Sequence, residues 1–352
     1  MTTSGADRRL RIVHVVCTDA FAGVERHVAT LAAGLAGRGC DVVVVGGDGG
    51  TLRSLLAADD VAWRPGASVP AALTALLRLG RADIVHAHMT KAELAAVLAG
   101  PVVGAKVVAT RHFARSRGSS LPVRVAGRWM ASRLAAQVAV SRYVAGNAGD
   151  ATLVIPPGTS RLPTSGAARQ RVVLVAQRLE PEKRTDLAIE AWQRSGLADD
   201  GWELWIAGDG HERPSLEARA SELGVAASCR FLGHRRDVAD LQRRAGMLLA
   251  PCAVEAFGLS VVEAMAAGLP VVAAASGGHP ETVGRHPKAA LYPPDDPDAA
   301  ARLLRHLAAD PDRRARYGDE LRALHDRELS PEQQVTATLD LYLSVAEPTR
   351  AR

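Results

Sequence analysis

The chain has 352 residues, enough for two ordinary domains, with 47% hydrophobic and 23% charged residues. Its formal charge of +5 is spread without any block of five or six like charges, so a nucleic-acid-binding arm has no support. No run of about 18 uncharged apolar residues occurs and the first residues (MTTSGADRRL) lack a signal-like apolar stretch, so a cytoplasmic protein is expected. Cys17, Cys40, Cys229 and Cys252 form no CxxC pair and lie in or beside apolar runs, which fits free thiols in a reducing compartment. Only 4% of residues are aromatic, so the cores must be built from Ala, Val and Leu.

Short β-branched runs alternate with longer helical patterns. RIVHVV (11–16) reads as a strand and is followed by a helix over about 23–37. VVVV (42–45), IVHA (84–87), KVVAT (106–110) and VAVS (138–141) continue the series, separated by Ala- and Leu-rich helical stretches. Continuous apolar strands with helical crossovers indicate a parallel sheet covered on both faces, a doubly wound Rossmann-like α/β domain. The pattern breaks at 156–169 (PPGTSRLPTSGAAR), with three prolines, two glycines and no apolar period. It restarts with RVVLVA (171–176), ELWIA (203–207), CRFLG (229–233), MLLA (247–250) and LPVVAA (269–274). Helices are expected at DLAIEAWQ, SLEARASELG, DVADLQRR and LSVVEAMAAG, then over 297–309, 311–328 and 331–346.

The expected organisation is an N-terminal Rossmann-like domain over 1–160, a linker over 161–170 and a C-terminal one over 171–330. The last helix, 331–346, is assigned to completing the first domain. Two such domains facing across a cleft would place ligands at the C-terminal ends of both sheets.

The strongest chemical signal is EAFGLSVVE, from Glu255 to Glu263, with a helix beginning near Gly258 or Leu259. Free amides at that helix start form an anion site, and Gly258 lets backbone approach a ligand. Eight residues of helix would part the two carboxylates by roughly 12 Å, against the about 5–10 Å of a glycosidase pair. Two ends of an elongated ligand suit that distance. The plain alternative is a buried helix with a surface Glu at each end.

Arg178 and Lys183, in AQRLEPEKRTD, follow the strand over 171–176, where cations can neutralise a departing diphosphate. Pairing with Glu180 and Glu182 is the simpler alternative. His14, His86 and His88 sit in strand patterns and read as core histidines, His88 being the better site candidate. No His or carboxylate cluster has metal-ligand spacing along the sequence. DDPD (295–298) reads as a helix cap and GDG (208–210) as a tight turn.

Residues 111–133 carry Arg111, Arg115, Arg117, Arg124, Arg128 and Arg133 with no acid. Leu121, Val125 and Trp129 form an apolar stripe, expected to pack on the sheet with the arginines solvated. The rival readings are contact with an anionic membrane or an acidic acceptor.

Together these segments resemble a family 4 retaining glycosyltransferase of the GT-B fold, over nearly the whole chain. The likeness is carried by FAGVERHVATLA (21–32), DIVHAH (83–88), VVATRH (107–112) and AQRLEPEKRTDLAIEAW (176–192). LWIAGDGHERPSLEARASELG with RFLGH, and PCAVEAFGLSVVEAMAAGLPVVAAASGGHPE (251–281), complete it. The resemblance implies transfer of a hexosyl or N-acetylhexosaminyl group from a UDP- or GDP-sugar to a hydroxyl of a small-molecule, glycan or lipid-linked acceptor, as in carbohydrate or natural-product biosynthesis. It implies neither metal nor other cofactor.

By the same resemblance Glu263 holds the ribose, Glu255 faces the donor sugar, and amides of Phe257, Gly258 and Leu259 meet sugar and phosphate. Arg178 and Lys183 bind the diphosphate, Gly23 lies near phosphate and acceptor, and His112 contacts the transferred sugar. His88, Arg111 and His112 are the acceptor-side candidates. Two departures stand out. Pro156-Pro157-Gly158 replaces the Pro-Asn-Gly of many relatives, and Phe113 follows His112 where relatives often place an acid. A sugar-nucleotide 2-epimerase and a non-catalytic nucleotide-sugar-binding protein are the rival readings.

Overall fold

The computed structural model describes residues 9–114, 121–148, 153–162 and 168–346, with backbone alone over 121–124. It divides into two compact units: residues 1–158 with 331–352, and residues 159–330.

Unit 1 runs β1 (Arg11–Val16), α1 (Gly23–Gly37), β2 (Asp41–Gly46), α2 (Thr51–Ala58), β3 (Ala62–Arg64) and α3 (Val69–Leu79). It continues through β4 (Ile84–His88), α4 (Thr90–Val103), β5 (Lys106–Arg111), α5 (Leu121–Ala131), β6 (Ala136–Ala139), α6 (Arg142–Ala148) and β7 (Leu153–Val154). The seven strands form one parallel sheet in the order β3-β2-β1-β4-β5-β6-β7. β1 therefore starts in the middle, and the chain reverses direction between β1 and β4. That reversal is the switch point at which such sheets bind ligands.

Unit 2 repeats the plan with β8 (Val172–Ala176), α7 (Thr185–Ser195), β9 (Glu203–Ala207), α8 (Arg213–Glu222), β10 (Cys229–Gly233) and α9 (Val238–Arg244). Then come β11 (Met247–Ala250), α10 (Leu259–Ala266), β12 (Val271–Ala274), β13 (Ala290–Tyr292), α11 (Pro297–Ala308) and α12 (Pro311–Glu328). Its six parallel strands lie in the order β10-β9-β8-β11-β12-β13, with the reversal between β8 and β11. The last helix, α13 (Pro331–Ala346), belongs to unit 1.

The strands explain themselves. In unit 1 alternate side chains feed two cores: Ile12, Val16, Ile84 and Val108 on one face, Val13, Val15, Val85 and Ala87 on the other. The first face is covered by α1 and α13, which supply Val28, Leu31, Leu35, Val335 and Tyr342. These helices pack closely because Gly34 has no side chain: a Cβ there would stand 2.3 Å from a Val335 methyl. Helix starts are capped locally. Asp296, in the DDPD run, accepts from the Ala299 amide at 2.8 Å, and Asp310 accepts from the Arg313 amide at 2.9 Å. The four cysteines are free, and three of them are buried.

α5 departs from expectation. Val125 and Trp129 are 58% and 42% exposed, whereas Gly127 and Met130 face inward. Val125 and Trp129 of the apolar stripe therefore point outward. The Arg133 guanidinium stacks over Trp129 at 5.5 Å and Arg128 is exposed beside it. Arg115, Arg117 and the side chains of Leu121 and Arg124 lie outside the described residues. No described helix is long and apolar enough to cross a membrane.

Candidate functional site

In unit 2 the loops after the two switch-point strands carry the candidate residues. After β8, Gln177 folds the chain back: its side-chain amide donates to the Lys183 carbonyl and the Thr185 hydroxyl, both at 2.9 Å. This tight turn depends on the GDG loop after β9. A Cβ on Gly208 would stand 1.8 Å from the Gln177 carbonyl oxygen, and one on Gly210 would stand 2.2 Å from that of Leu179. GDG is thus a packing turn under the cationic loop.

Lys183 donates to Glu255 at 2.6 Å, across 72 residues of sequence. The pair is half-buried, 16% and 21% exposed. Burial opposes the charge on Glu255, but the adjacent ammonium and its hydrogen bond outweigh it and hold the carboxyl below its ordinary value. Burial likewise opposes the charge on Lys183, and Glu255 reverses the balance, raising its pKa. Both stay ionised at neutral pH. Arg178 takes the simpler course, pairing with Glu182 at 3.2 Å while 65% exposed.

Residues 253–258 are turn and α10 starts at Leu259, with Gly258 capping it in the left-handed region (φ 87°). Only the last part of the stretch between Glu255 and Glu263 is helical, so the separation inferred from a continuous eight-residue helix does not apply. Glu263 lies one turn into α10 and is half-buried; Phe257 is buried.

A third loop, after β12, was not singled out from the sequence. Gly277 and Gly278 press against the 255–258 turn: the Gly278 amide donates to the Glu255 carbonyl at 2.8 Å. A Cβ on Gly277 (φ 61°) would stand 2.5 Å from that same oxygen. His279 follows, buried, bonded through Nδ1 to the Ala274 carbonyl at 3.1 Å. Its ring lies against Gly258, where a Cβ would meet it at 3.2 Å. Burial lowers its pKa, with Glu255 pulling the other way. The Gly-Gly-His run directly after an apolar strand was the available signal.

Unit 1 places its candidates at the corresponding edge of its own sheet. Gly23 opens α1, preceded by Ala22, whose amide donates to Glu25 at 2.8 Å. Arg111 is the last residue of β5 and is buried. His88 ends β4; His14, His86 and His88 share one sheet face because their strands run in register, and His112 follows directly after β5. His14 Nδ1 bonds His88 Nε2 at 3.0 Å, and His88 Nδ1 bonds His112 Nε2 at 3.0 Å. His86 bonds Thr110 at 2.6 Å and the Tyr342 hydroxyl. His27, from α1, packs edge-on to His112 with ring centroids 5.0 Å apart. It faces the side-chain amide of Gln334, whose oxygen accepts from the Gly158 amide at 2.7 Å. An amide side chain thus reaches the Pro-Pro-Gly segment from α13.

Burial drives all five histidines toward the neutral form: His14 is lowered to about 3 and His27 to about 4, and His86, His88 and His112 fall well below the ordinary value. The lack of metal spacing in the sequence gives way here to clustering in space. His14, His86 and His88, and again His27, His88 and His112, bring one ligand atom each within 4.8 Å of one another. Both nitrogens of His86 are engaged with Tyr342 and Thr110 and both of His88 with His14 and His112, so these sets read as a hydrogen-bonded network.

The comparisons with known proteins agree with this architecture. Residues 21–159 match the family model described as Glycosyltransferase Family 4, and residues 163–323 match Glycosyl transferases group 1. A D-inositol 3-phosphate glycosyltransferase of Streptomyces coelicolor is 31% identical over 333 residues, covering 78% of this chain and 72% of that protein. A glycogen synthase of Mycobacterium tuberculosis is 31% identical over 196 residues, 55% of this chain and 47% of that one. Among solved structures, Anabaena HepE in complex with UDP superposes with a TM-score of 0.81 at 19% identity, covering 95% of this chain and all of that one. Sucrose-phosphate synthase of Thermosynechococcus elongatus gives 0.75 at 19% identity, covering 96% and 99%.

The chain belongs to glycosyltransferase family 4 and has the GT-B fold of two parallel-sheet α/β domains. It is a glycosyltransferase that uses a nucleotide-sugar donor.

Proposed function

We propose that the chain is a retaining, metal-independent transferase that moves a hexosyl or N-acetylhexosaminyl group from a UDP- or GDP-sugar to a hydroxyl acceptor. The carrying observation is the Lys183–Glu255 ion pair at the switch point of unit 2, beside the amino end of α10. An ammonium has three donor hydrogens, so Lys183 can keep Glu255 and still meet a phosphate oxygen. With Arg178 and the amides of Phe257, Gly258 and Leu259 it would neutralise the departing diphosphate, the service a divalent metal supplies elsewhere. Glu263 would hold the ribose and Glu255 the sugar.

In the step itself the bond from the anomeric carbon to the diphosphate oxygen breaks, and the acceptor oxygen bonds that carbon from the same face. The acceptor proton passes to the leaving phosphate. UDP is the favoured nucleotide because the HepE neighbour has been solved with UDP and with UDP-glucose. Gly23, Arg111 and His112 would serve the transferred sugar and acceptor side, and His88, fully buried with both ring nitrogens engaged, would act there through His112. The acceptor is a hydroxyl of a small molecule, a glycan or a lipid-linked acceptor.

We further propose a cytoplasmic enzyme with peripheral contact to an anionic membrane, a reading supported by the exposed Val125 and Trp129 of α5 beside Arg128 and Arg133. Vesicle sedimentation should show binding to anionic and not to neutral vesicles, weakened by Trp129→Ala. Equal sedimentation with both, or none, discards the contact.

The donor reading is tested by a thermal-shift and hydrolysis panel of UDP-, GDP-, ADP- and TDP-sugars, with and without EDTA. Selective stabilisation by one of them, indifferent to EDTA, is expected. Stabilisation abolished by EDTA removes metal independence, and no response to any sugar nucleotide removes the donor site.

A further inference from the structure

The chain His14–His88–His112 has three imidazoles and two nitrogen-to-nitrogen hydrogen bonds, each 3.0 Å long. Both nitrogens of His88 are used in these bonds. A neutral imidazole carries one ring proton, and burial keeps all three rings neutral. Three protons are therefore available for two bonds, and the third must sit at one end. It lies either on Nε2 of His14 or on Nδ1 of His112.

The two ends differ. His14 Nε2 is buried and has no hydrogen-bond partner among the described residues. His14 is fully enclosed, whereas His112 retains 9% of its surface at the end of β5. An N–H left without an acceptor in an apolar interior is the costlier state and is rarely seen, while a bare acceptor lone pair is tolerated better. The proton therefore leaves the His14 end. That choice propagates: His14 donates from Nδ1 to His88, and His88 donates from Nδ1 to Nε2 of His112.

We propose that His14 and His88 are positioning residues that hold the proton of His112 on Nδ1, so that this histidine meets a substrate as a hydrogen-bond donor. They do for His112 what a neighbouring carboxylate does elsewhere, and Phe113 cannot. His86 and Tyr342 close the inner flank and His27 the outer, all uncharged. A donor at this position suits a sugar hydroxyl or ring oxygen as acceptor. That last point rests on the transferase reading; the proton's location does not.

Two-bond proton–nitrogen correlation spectra of the full chain, labelled with 15N-histidine, read the tautomer of each ring directly. Signals are assigned with His88→Gln and His112→Gln. We expect Nδ1–H forms for both His88 and His112. An Nε2–H form or an imidazolium at His112 overturns the proposal. His14→Leu removes the donor to His88 and should leave His112 as a mixture of tautomers, while His14→Gln, whose amide N–H replaces it, should restore the single form. An unchanged His112 spectrum in His14→Leu makes His14 merely structural and overturns the relay. Should these variants fail to fold, the wild-type spectrum decides alone. Once a donor sugar is known, His14→Leu should lower kcat by up to about tenfold, the worth of one hydrogen bond, with little change in donor KM. The expected spectrum in a protein that binds no sugar nucleotide sinks the proposed donor site and leaves the relay standing.

Discussion

The two sheets place polar side chains at the same topological position, the ends of the strands flanking the chain reversal, and treat them differently. Unit 1 buries five histidines and keeps them neutral, pairing them with one another, Thr110, Tyr342 and Gln334 and leaving His14 Nε2 without a partner among the described residues. Unit 2 half-buries opposite charges and joins them, Lys183 with Glu255. Imidazoles that give up charge lose little by full burial. An ion pair must stay near water to repay its desolvation, and its retained exposure is consistent with that.

Acid should separate the two units most strongly. In unfolded chain the histidines titrate near 6.5, and in unit 1 all five are lowered, to about 3 for His14 and about 4 for His27. Between those values the unfolded chain binds protons that the folded unit refuses. The stability they contribute is complete above pH 6.5 and is lost as pH falls toward the folded values. The slope is on the order of 1.4 kcal/mol per unit for each histidine, so several kcal/mol should be gone by about pH 5. In unit 2, His279 acts in the same sense but alone, and Glu255 keeps its contribution until pH falls through its own lowered value. Hydrogen-exchange mass spectrometry across pH 7.5–4.5 should show unit 1 losing protection first. Loss in unit 2 first would contradict the neutral-cluster account.

Breaking the charged pair comes next. Lys183→Ala should reduce transfer by about 10²–10³-fold and cost roughly 3 kcal/mol in urea unfolding, because Glu255 is left half-buried without its partner. Adding Glu255→Ala should recover part of the stability and none of the activity. Full additivity of the two losses in stability would mean the pair is not coupled.

Gly277→Ala asks whether the third loop supports the second. Its left-handed backbone and the 2.5 Å approach of a new Cβ to the Glu255 carbonyl predict a loss of about 2 kcal/mol. Weaker sugar-nucleotide binding by calorimetry should accompany it, since the same oxygen anchors the 255–258 turn. Wild-type affinity would show that the turn holds its shape without this packing.

Much of this was legible in the residues, and the failures share a cause. Buried parallel strands read as continuous apolar runs, so RIVHVV, ELWIA and MLLA came out at or near their observed bounds. The edge strands β3, β7 and β13 have two or three residues each and left no pattern. Lys183 and Glu255 were found separately, but their pairing across 72 residues belongs to strand order, which spacing does not record. The histidine cluster is the same case: His14 and His86 lie on paired strands and His112 directly follows a third, and strand register makes them neighbours. The α5 stripe misled because periodicity shows that a helix has two faces and not which one a sheet will take. There Gly127 and Met130 are buried and Val125 and Trp129 are exposed.

Arg178→Ala carries the smallest expected change in stability and divides the charged site most finely. Arg178 is 65% exposed and its partner Glu182 is 41% exposed, so the ion pair is worth no more than about 0.5 kcal/mol. Lys183→Ala should damage fold and transfer together; Arg178→Ala should damage transfer alone, by about tenfold or more. An exposed guanidinium can leave Glu182 for a diphosphate at little cost, and its two-pronged geometry suits phosphate. Unfolding in urea and transfer rate measured on the same preparation separate the outcomes. If stability and transfer both stay at wild-type values, Arg178 is a solvated surface cation and Lys183 with the α10 amides must carry the leaving group without it.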